Sequence, residues 1–251
     1  MTLPTGADAP VWQLLDAPDG THVHVLDPDF VPNGLFDIMV DVPHEVLDVG
    51  CYCAGAGAAL KRRWPGVRVT GIEPVGRAAD IAATRIDHVF RGTLQQATPA
   101  SLAAPARGFD TIICADVLEH MHNPWSALTQ LRALLSNDGV VIACIPNVRN
   151  IGLLADLACC GRFDYASAGL LDVTHIRFFT EQGVRAMFAQ TGFAIEAFLH
   201  FLDPRYVGLV EPPSTSPNTI QLPSLTLTDL TPEDRRELAT MQFVVRASKS
   251  G

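Results

Sequence analysis

At 251 residues, nearly half of them hydrophobic, the chain has enough apolar material for one large α/β domain and too little length for two comfortable ones. Its formal charge of −9, with lysine only at Lys61 and Lys249, excludes a broad nucleic-acid footprint, because neutralising phosphates requires clustered basic side chains. No stretch reaches the roughly 18 uninterrupted apolar residues of a membrane span; oligomeric state is left open.

The start, MTLPTGADAPVWQLL, lacks the basic and then apolar run of a secretory signal. Cys51, Cys53, Cys114 and Cys144 lie inside apolar strand patterns and Cys159 and Cys160 are adjacent, which is reduced, cytoplasmic usage rather than a disulfide framework. Cys51 and Cys53 have no second ligand pair at zinc spacing and read as packing.

Residues 1–45 are rich in Pro, Asp and His and form an N-terminal cover segment, in which His22-Val23-His24-Val25 alternates like a short strand. Residues 46–251 form the main domain. Strand 46–50 leads through a tight turn to helix 56–63, strand 67–72 ends at Glu73-Pro74, and helix 76–84 precedes a short strand at 88–90. A weak helix near 94–103 precedes strand 109–114. Helix 124–135 opens on Asn123-Pro124, a cap followed by proline at the first helical position, and strand 140–145 closes the series.

After Pro146 come helix 151–160, an irregular segment 161–174, helix 181–190 capped by Thr180, and strand 192–201. The last strand, 241–247, follows a Pro-, Ser- and Thr-rich insertion at about 203–223 and a helix announced by Thr231-Pro232-Glu233-Asp234. Alternating strands and helices predict a parallel sheet with right-handed crossovers, and the long excursion before the last strand predicts an antiparallel pair at one edge.

The turn Val46–Gly57 organises the chain. A buried strand that turns sharply into a helix sets backbone N–H groups beside a nucleotide-like ligand. Tyr52 and Ala54 stand where a GxGxxG fingerprint has its first two glycines. In an open parallel sheet, ligands sit beyond the carboxyl ends of the strands. Those ends carry Asp48-Val49-Gly50, Glu73, Gly92-Thr93 and Ala115-Asp116, and Glu73 lies about 20 residues past the turn, where an acid meets a ribose diol.

With VLDVGCYCAGAGAALK, GIEP, FDTIICADVLEHMHNP and GVVIACIPNVRN in hand, residues 45–200 resemble a bacterial S-adenosylmethionine-dependent methyltransferase of the seven-stranded Rossmann-like type. GRFDYASAGLLDVTHIRFFT narrows the resemblance to a subfamily found with glycosyltransferases and surface-polysaccharide genes. The resemblance implies a mostly parallel seven-stranded sheet with helices on both faces and an antiparallel C-terminal edge pair. It further implies S-adenosylmethionine as cofactor and O-methylation (or N-methylation) of a saccharide or other small molecule. Carried over by position, Asp48, Gly50 and the backbone at Cys51 and Tyr52 would hold the methionine part. Glu73 would take the ribose, Thr93 and Leu94 would lie against the adenine, and Asp116 with Val117 would line the far wall. Tyr52 and Ala54 depart from the family's glycines, and Thr93 stands where an aspartate commonly meets the adenine. These departures keep open a second reading, a methyltransferase-like binding module without methyl transfer.

A hydroxyl acceptor benefits from a base, and His175, in Asp172-Val173-Thr174-His175-Ile176-Arg177, is the leading candidate, with Arg177 and Asp172 as substrate-binding residues. Asp116, Glu119, His120 and His122 form a second constellation. On a helix, Asp116 and His120 would share a face at i,i+4, making His120 a secondary acid or base. No third ligand on that face is evident, so no metal is expected.

Overall fold

A computed structural model describes Val11, Leu15 and residues 27–210 and 218–251. The 22–25 strand, most of the N-terminal cover segment and part of the 203–223 insertion lie outside these residues.

Seven strands form one sheet: β1 (Glu45–Val49), β2 (Arg68–Glu73), β3 (His88–Arg91), β4 (Phe109–Ala115), β5 (Leu135–Pro146), β6 (Phe193–Leu202) and, after two strands of a separate hairpin, β9 (Thr240–Lys249). The spatial order is β3-β2-β1-β4-β5-β9-β6. The first five are mutually parallel, with Leu47 opposite both Thr70 and Ile112. β9 runs against both its neighbours, Ile142 facing Arg246 on one side and Phe198 facing Val245 on the other. The expected antiparallel pair is therefore present, with the last strand inserted inside the sheet and β6 left at the edge.

The strands read as near-continuous apolar runs because both sheet faces are covered. Alternate residues enter opposite cores, as the period of two requires. Leu47, Ile112, Val141 and Phe243 pack on one face with Leu128, Leu131 and Phe188; these come from helices α4 (Pro124–Leu134) and α6 (Glu181–Gln190). Val46, Ile113, Ile142 and Val244 pack on the other with Leu35, Leu60 and Ala82, supplied by α1 (Leu35–Ile38), α2 (Gly55–Arg63) and α3 (Gly76–Ala82). Burying one such leucine stabilises the fold by about 1.5–3 kcal/mol. A third cluster, Ile151, Ile220, Leu230 and Leu238, joins α5 (Ile151–Cys160), the hairpin β7 (Ile220–Gln221) and β8 (Thr226–Leu227), and α7 (Pro232–Ala239).

The expected caps are formed. The Asn123 side chain accepts from the Ser126 N–H, Thr180 from the Gly183 N–H, and Thr231 with Asp234 closes a capping box. One expected helix and one conditional one are absent. The 94–103 segment is a single 3₁₀ turn at 94–96, closed by a capping box between Thr93 and Gln96, because Pro99 and Pro105 break the helical course beyond it. Residues 116–120 are not a continuous helix either. Asp116 has φ of 55° and only Leu118–His120 make a 3₁₀ turn, so the i,i+4 face proposed for Asp116 and His120 does not exist.

Candidate cofactor and acceptor site

The chain leaves β1 through Gly50, whose φ of 68° is left-handed. A Cβ there would lie 2.7 Å from Val117 Cγ2, so the end of β1 closes against the end of β4 only because residue 50 is glycine. The Gly50 and Cys51 N–H groups both donate to the Ile72 carbonyl, at 2.8 and 3.0 Å, folding the turn over the end of β2. Cys51 is buried beneath it, against Gly71, where a Cβ would come within 2.4 Å of the sulfur. Cys51 therefore packs the turn and presents only backbone to a ligand.

Tyr52 and Ala54 have φ of 49° and 57°. Both take the glycine conformation without being glycine, at about 1–2 kcal/mol each. The backbone course that the missing glycines would serve is kept. Ala54 caps α2 without a side-chain hydrogen bond.

Glu73 ends β2 almost wholly buried and ties this turn down. Its Oε2 accepts from the Tyr52 N–H and its Oε1 from the Val75 N–H, both at 2.8 Å. Burial pushes its pKa up while these two donors oppose the shift. A carboxylate has about four acceptor positions, so two bonds leave capacity for a further diol. Asp48, one strand over, is 4 % exposed, and its Oδ2 has no hydrogen-bond partner among the described residues. Burial, then the neighbouring Glu73 charge, pushes its pKa up to about 7.

At the end of β4, Asp116 accepts from the Gln242 side chain of β9, and burial pushes its pKa up to about 6. Gln242 escaped sequence reasoning; its only signal is a polar residue interrupting the apolar run Met241–Val245. Val117 closes against Gly50 as described, on the core. Thr93 is exposed and its N–H donates to Gln96 Oε1, whereas Leu94 is buried in the main core and turns no side chain outward.

The segment before α6 folds back over the β4 turn. The Ile176 and Arg177 N–H groups both donate to the Glu119 carbonyl at 3.0 Å. This closure brings together Glu119, His120 and His175, whose ligand atoms all lie within 4.8 Å of one another. His175 Nε2 is 3.9 Å from Glu119 Oε1. His175 Nδ1 meets the Leu170 carbonyl at 3.1 Å, and His120 Nδ1 meets the Thr174 carbonyl at 3.2 Å and its hydroxyl at 3.0 Å. That hydroxyl donates to Asp172 Oδ1 at 2.6 Å, and the Thr174 N–H donates to the same oxygen at 2.8 Å. Glu119 is 1 % exposed and neither carboxylate oxygen has a hydrogen-bond partner among the described residues. Burial, with the Asp116 charge adding to it, holds its pKa well above the ordinary value.

Two expected substrate-binding residues have other duties here. Asp172 is buried and braces the loop through Thr174, and Arg177 donates to the Ile176 and His122 carbonyls. An open cleft of about 500 Å³ lined by His44, Arg107, Asp110 and Asp138 lies at the amino ends of β1 and β4, away from all these acids. Ligands of open parallel sheets bind at the other end.

A sequence model of the methyltransferase domain matches residues 35–197. The chain belongs to the methyltransferase domain family. It is similar to the ubiquinone biosynthesis O-methyltransferase of Actinobacillus pleuropneumoniae, 30 % identical over 131 residues, covering 47 % of this chain and 53 % of that one. A trans-aconitate 2-methyltransferase of Rhodopseudomonas palustris is 28 % identical over 113 residues, 45 % of this chain and 43 % of the relative. The chain thus spans about half the length of the curated relatives it matches. In fold it is similar to a SAM-dependent methyltransferase of Thermotoga maritima, with a TM-score of 0.55 at 15 % identity over 85 % of each chain.

The cofactor of this methyltransferase family is S-adenosylmethionine, and the residues fit it. Asp48 offers a buried, unpartnered oxygen to an ammonium group, Glu73 has acceptor capacity left for ribose hydroxyls, and the turn between them keeps its glycine course. No helix among the described residues is long and apolar enough to cross a membrane.

Proposed function

We propose that the chain transfers a methyl group from S-adenosylmethionine to an oxygen of a small-molecule acceptor, with saccharide hydroxyls as the leading class. The observation that carries the oxygen is the Glu119, His120 and His175 cluster, in the turn beyond β4 next to Asp116. A hydroxyl must lose its proton as the new bond forms, whereas a neutral amine attacks through its lone pair without prior proton loss. A positioned proton acceptor is worth about 10²–10⁴ in rate. The saccharide assignment rests on the likeness of Gly161–Thr180 to polysaccharide-associated methyltransferases. O-methylation agrees with the name of the ubiquinone biosynthesis relatives.

In this reading Asp48 receives the cofactor's ammonium group and Glu73 its ribose hydroxyls. Bound S-adenosylmethionine supplies an electrophilic methyl on a sulfonium. Orientation of the acceptor contributes much of the remainder, since well-placed pairs gain about 7–11 kcal/mol. With Nδ1–H of His175 donated to the Leu170 carbonyl, Nε2 carries the lone pair and can take the acceptor's proton.

The retained course of the Tyr52 and Ala54 turn favours cofactor binding over a module that has lost it. The test is calorimetry with S-adenosylmethionine and S-adenosylhomocysteine, followed by mass spectrometry of S-adenosylhomocysteine release across a panel of free and nucleotide-linked sugars. Binding with hydroxyl-dependent turnover is expected; no binding at millimolar cofactor would sink the proposal. His175→Ala should cut turnover while leaving cofactor affinity in place.

A further inference from the structure

We propose that Glu119, His120 and His175 form a binding site for a divalent transition-metal cation. Three features converge on it. One carboxylate and two imidazoles, from positions 119, 120 and 175, bring one ligand atom each within 4.8 Å of the others, so that shifts of a few tenths of an ångström would bring them to the roughly 2.0–2.2 Å bonds of a single ion. Glu119 is 1 % exposed and both its oxygens lack a hydrogen-bond partner among the described residues, an arrangement that is costly for a buried carboxylate unless a cation or a proton joins it.

The third feature is the orientation of the rings. Both histidines direct Nδ1 at a backbone carbonyl, Leu170 for His175 and Thr174 for His120. An Nδ1–H donated to a carbonyl leaves Nε2 as the atom with the lone pair, which is how metal-bound histidines are usually held. The Asp172 carboxylate accepts from the Thr174 hydroxyl at 2.6 Å, and that hydroxyl lies 3.0 Å from His120 Nδ1, a carboxylate-to-hydroxyl-to-imidazole support for the ligand. His175 Nε2 lies 3.9 Å from Glu119 Oε1, on the same side of the cluster.

Two nitrogens and one carboxylate leave coordination positions open and suit zinc, cobalt, manganese or iron in the divalent state. An acceptor hydroxyl bound at an open position would have its pKa lowered, and a second oxygen beside it, as in a vicinal diol, would complete a chelate. The lowered pKa would let the acceptor's proton pass to solvent water, with His175 and His120 serving as ligands in place of the base role. Metal binding stands without methyl transfer; only its use in the reaction rests on the methyl-transfer reading.

The experiment is therefore run without S-adenosylmethionine. Untagged, chelator-treated protein carrying Cys159→Ser and Cys160→Ser, to remove the two accessible thiols, is titrated with cobalt(II) and then competed with zinc. One equivalent should bind with ligand-field absorption lacking thiolate bands, and the melting temperature should rise. Glu119→Gln, folded by circular dichroism, should lose more than the roughly 10–100-fold in affinity typical of an outer-shell change, and Thr174→Val should lose about 10-fold. Should Glu119→Gln not fold, His120→Ala serves as the ligand variant with the same expected loss. Absence of stoichiometric cobalt and zinc binding by the folded protein, or equal affinity in the ligand variant, would overturn the proposal in favour of a proton shared within the cluster.

Discussion

Asp48→Asn should make the protein more stable and a poorer cofactor binder. Asp48 is buried on β1, its Oδ2 is unpartnered, and its pKa stands at about 7 against an ordinary 3.8. At about 1.36 kcal/mol per pH unit, that rise of roughly 3 means that ionised Asp48 costs the fold about 4 kcal/mol. Between those two values the folded chain keeps a proton that the unfolded chain has released, so stability is full at low pH and falls as pH rises through about 7. Asparagine has nearly the same shape and no charge to bury, so the variant should match the wild type in acid and exceed it in base. About 2 kcal/mol of the difference should develop between about pH 5.5 and about pH 8.5. Urea unfolding of both proteins at those two pH values measures it, with groups common to both largely cancelling. A gap that does not widen with pH, or a variant less stable than the wild type at the higher pH, would mean that Asp48 is ionised and satisfied in the fold, and the reasoning would fail.

The other predictions concern the same turn. Tyr52→Gly relieves about 1–2 kcal/mol of left-handed strain and returns about 0.5–1 kcal/mol as chain entropy, so the melting temperature should hold or rise; a fall worth more than about 1 kcal/mol would mean that the ring carries the turn. Gly50→Ala should destabilise by about 2–4 kcal/mol through its positive φ and its contact with Val117, and Val117→Ala should restore only the contact part in denaturant titrations of the double variant. Glu73→Ala should weaken S-adenosylhomocysteine binding at least tenfold, about 1.4 kcal/mol, by calorimetry; unchanged affinity would remove Glu73 from the site.

The sheet was legible because burial on both faces writes each central strand as an apolar run ended by an acid or a glycine, as in Val46–Gly50 and Val69–Glu73. The caps at Asn123, Thr180 and Thr231 were legible because they are local chemistry. So was the odd geometry of Tyr52 and Ala54, since the turn after a first strand dictates φ whatever residue fills it. The acceptor side was not. His120 and Thr174 are 54 residues apart, and only the return of the chain onto the Glu119 carbonyl brings His175 to the same place. The face that Asp116 and His120 would share on a helix is broken by Asp116 itself, at φ of 55°. Arg177, expected at the substrate, donates to the Ile176 and His122 carbonyls, contacts that no spacing rule reveals.

The chemistry of the site follows from where its acids lie. Asp48, Glu73, Asp116 and Glu119 come from the carboxyl ends of β1, β2 and β4 and the turn just beyond, and burial raises the pKa of each. Gly50 and Val117 close against one another so that these ends converge, and the left-handed residues Tyr52, Ala54 and Asp116 turn the chain sharply away after delivering them. A chain of net charge −9 has no need of more negative charge for solubility, and apolar side chains would fill the same space at less cost. Such a concentration of under-compensated carboxylates is maintained at the expense of stability and is matched by ligands that are cations. S-adenosylmethionine is one, through its ammonium and sulfonium groups, and a divalent metal at Glu119 would be another. The strained turns and the raised acids are then two parts of one arrangement, in which the fold gives up several kcal/mol to stay complementary to positive charge.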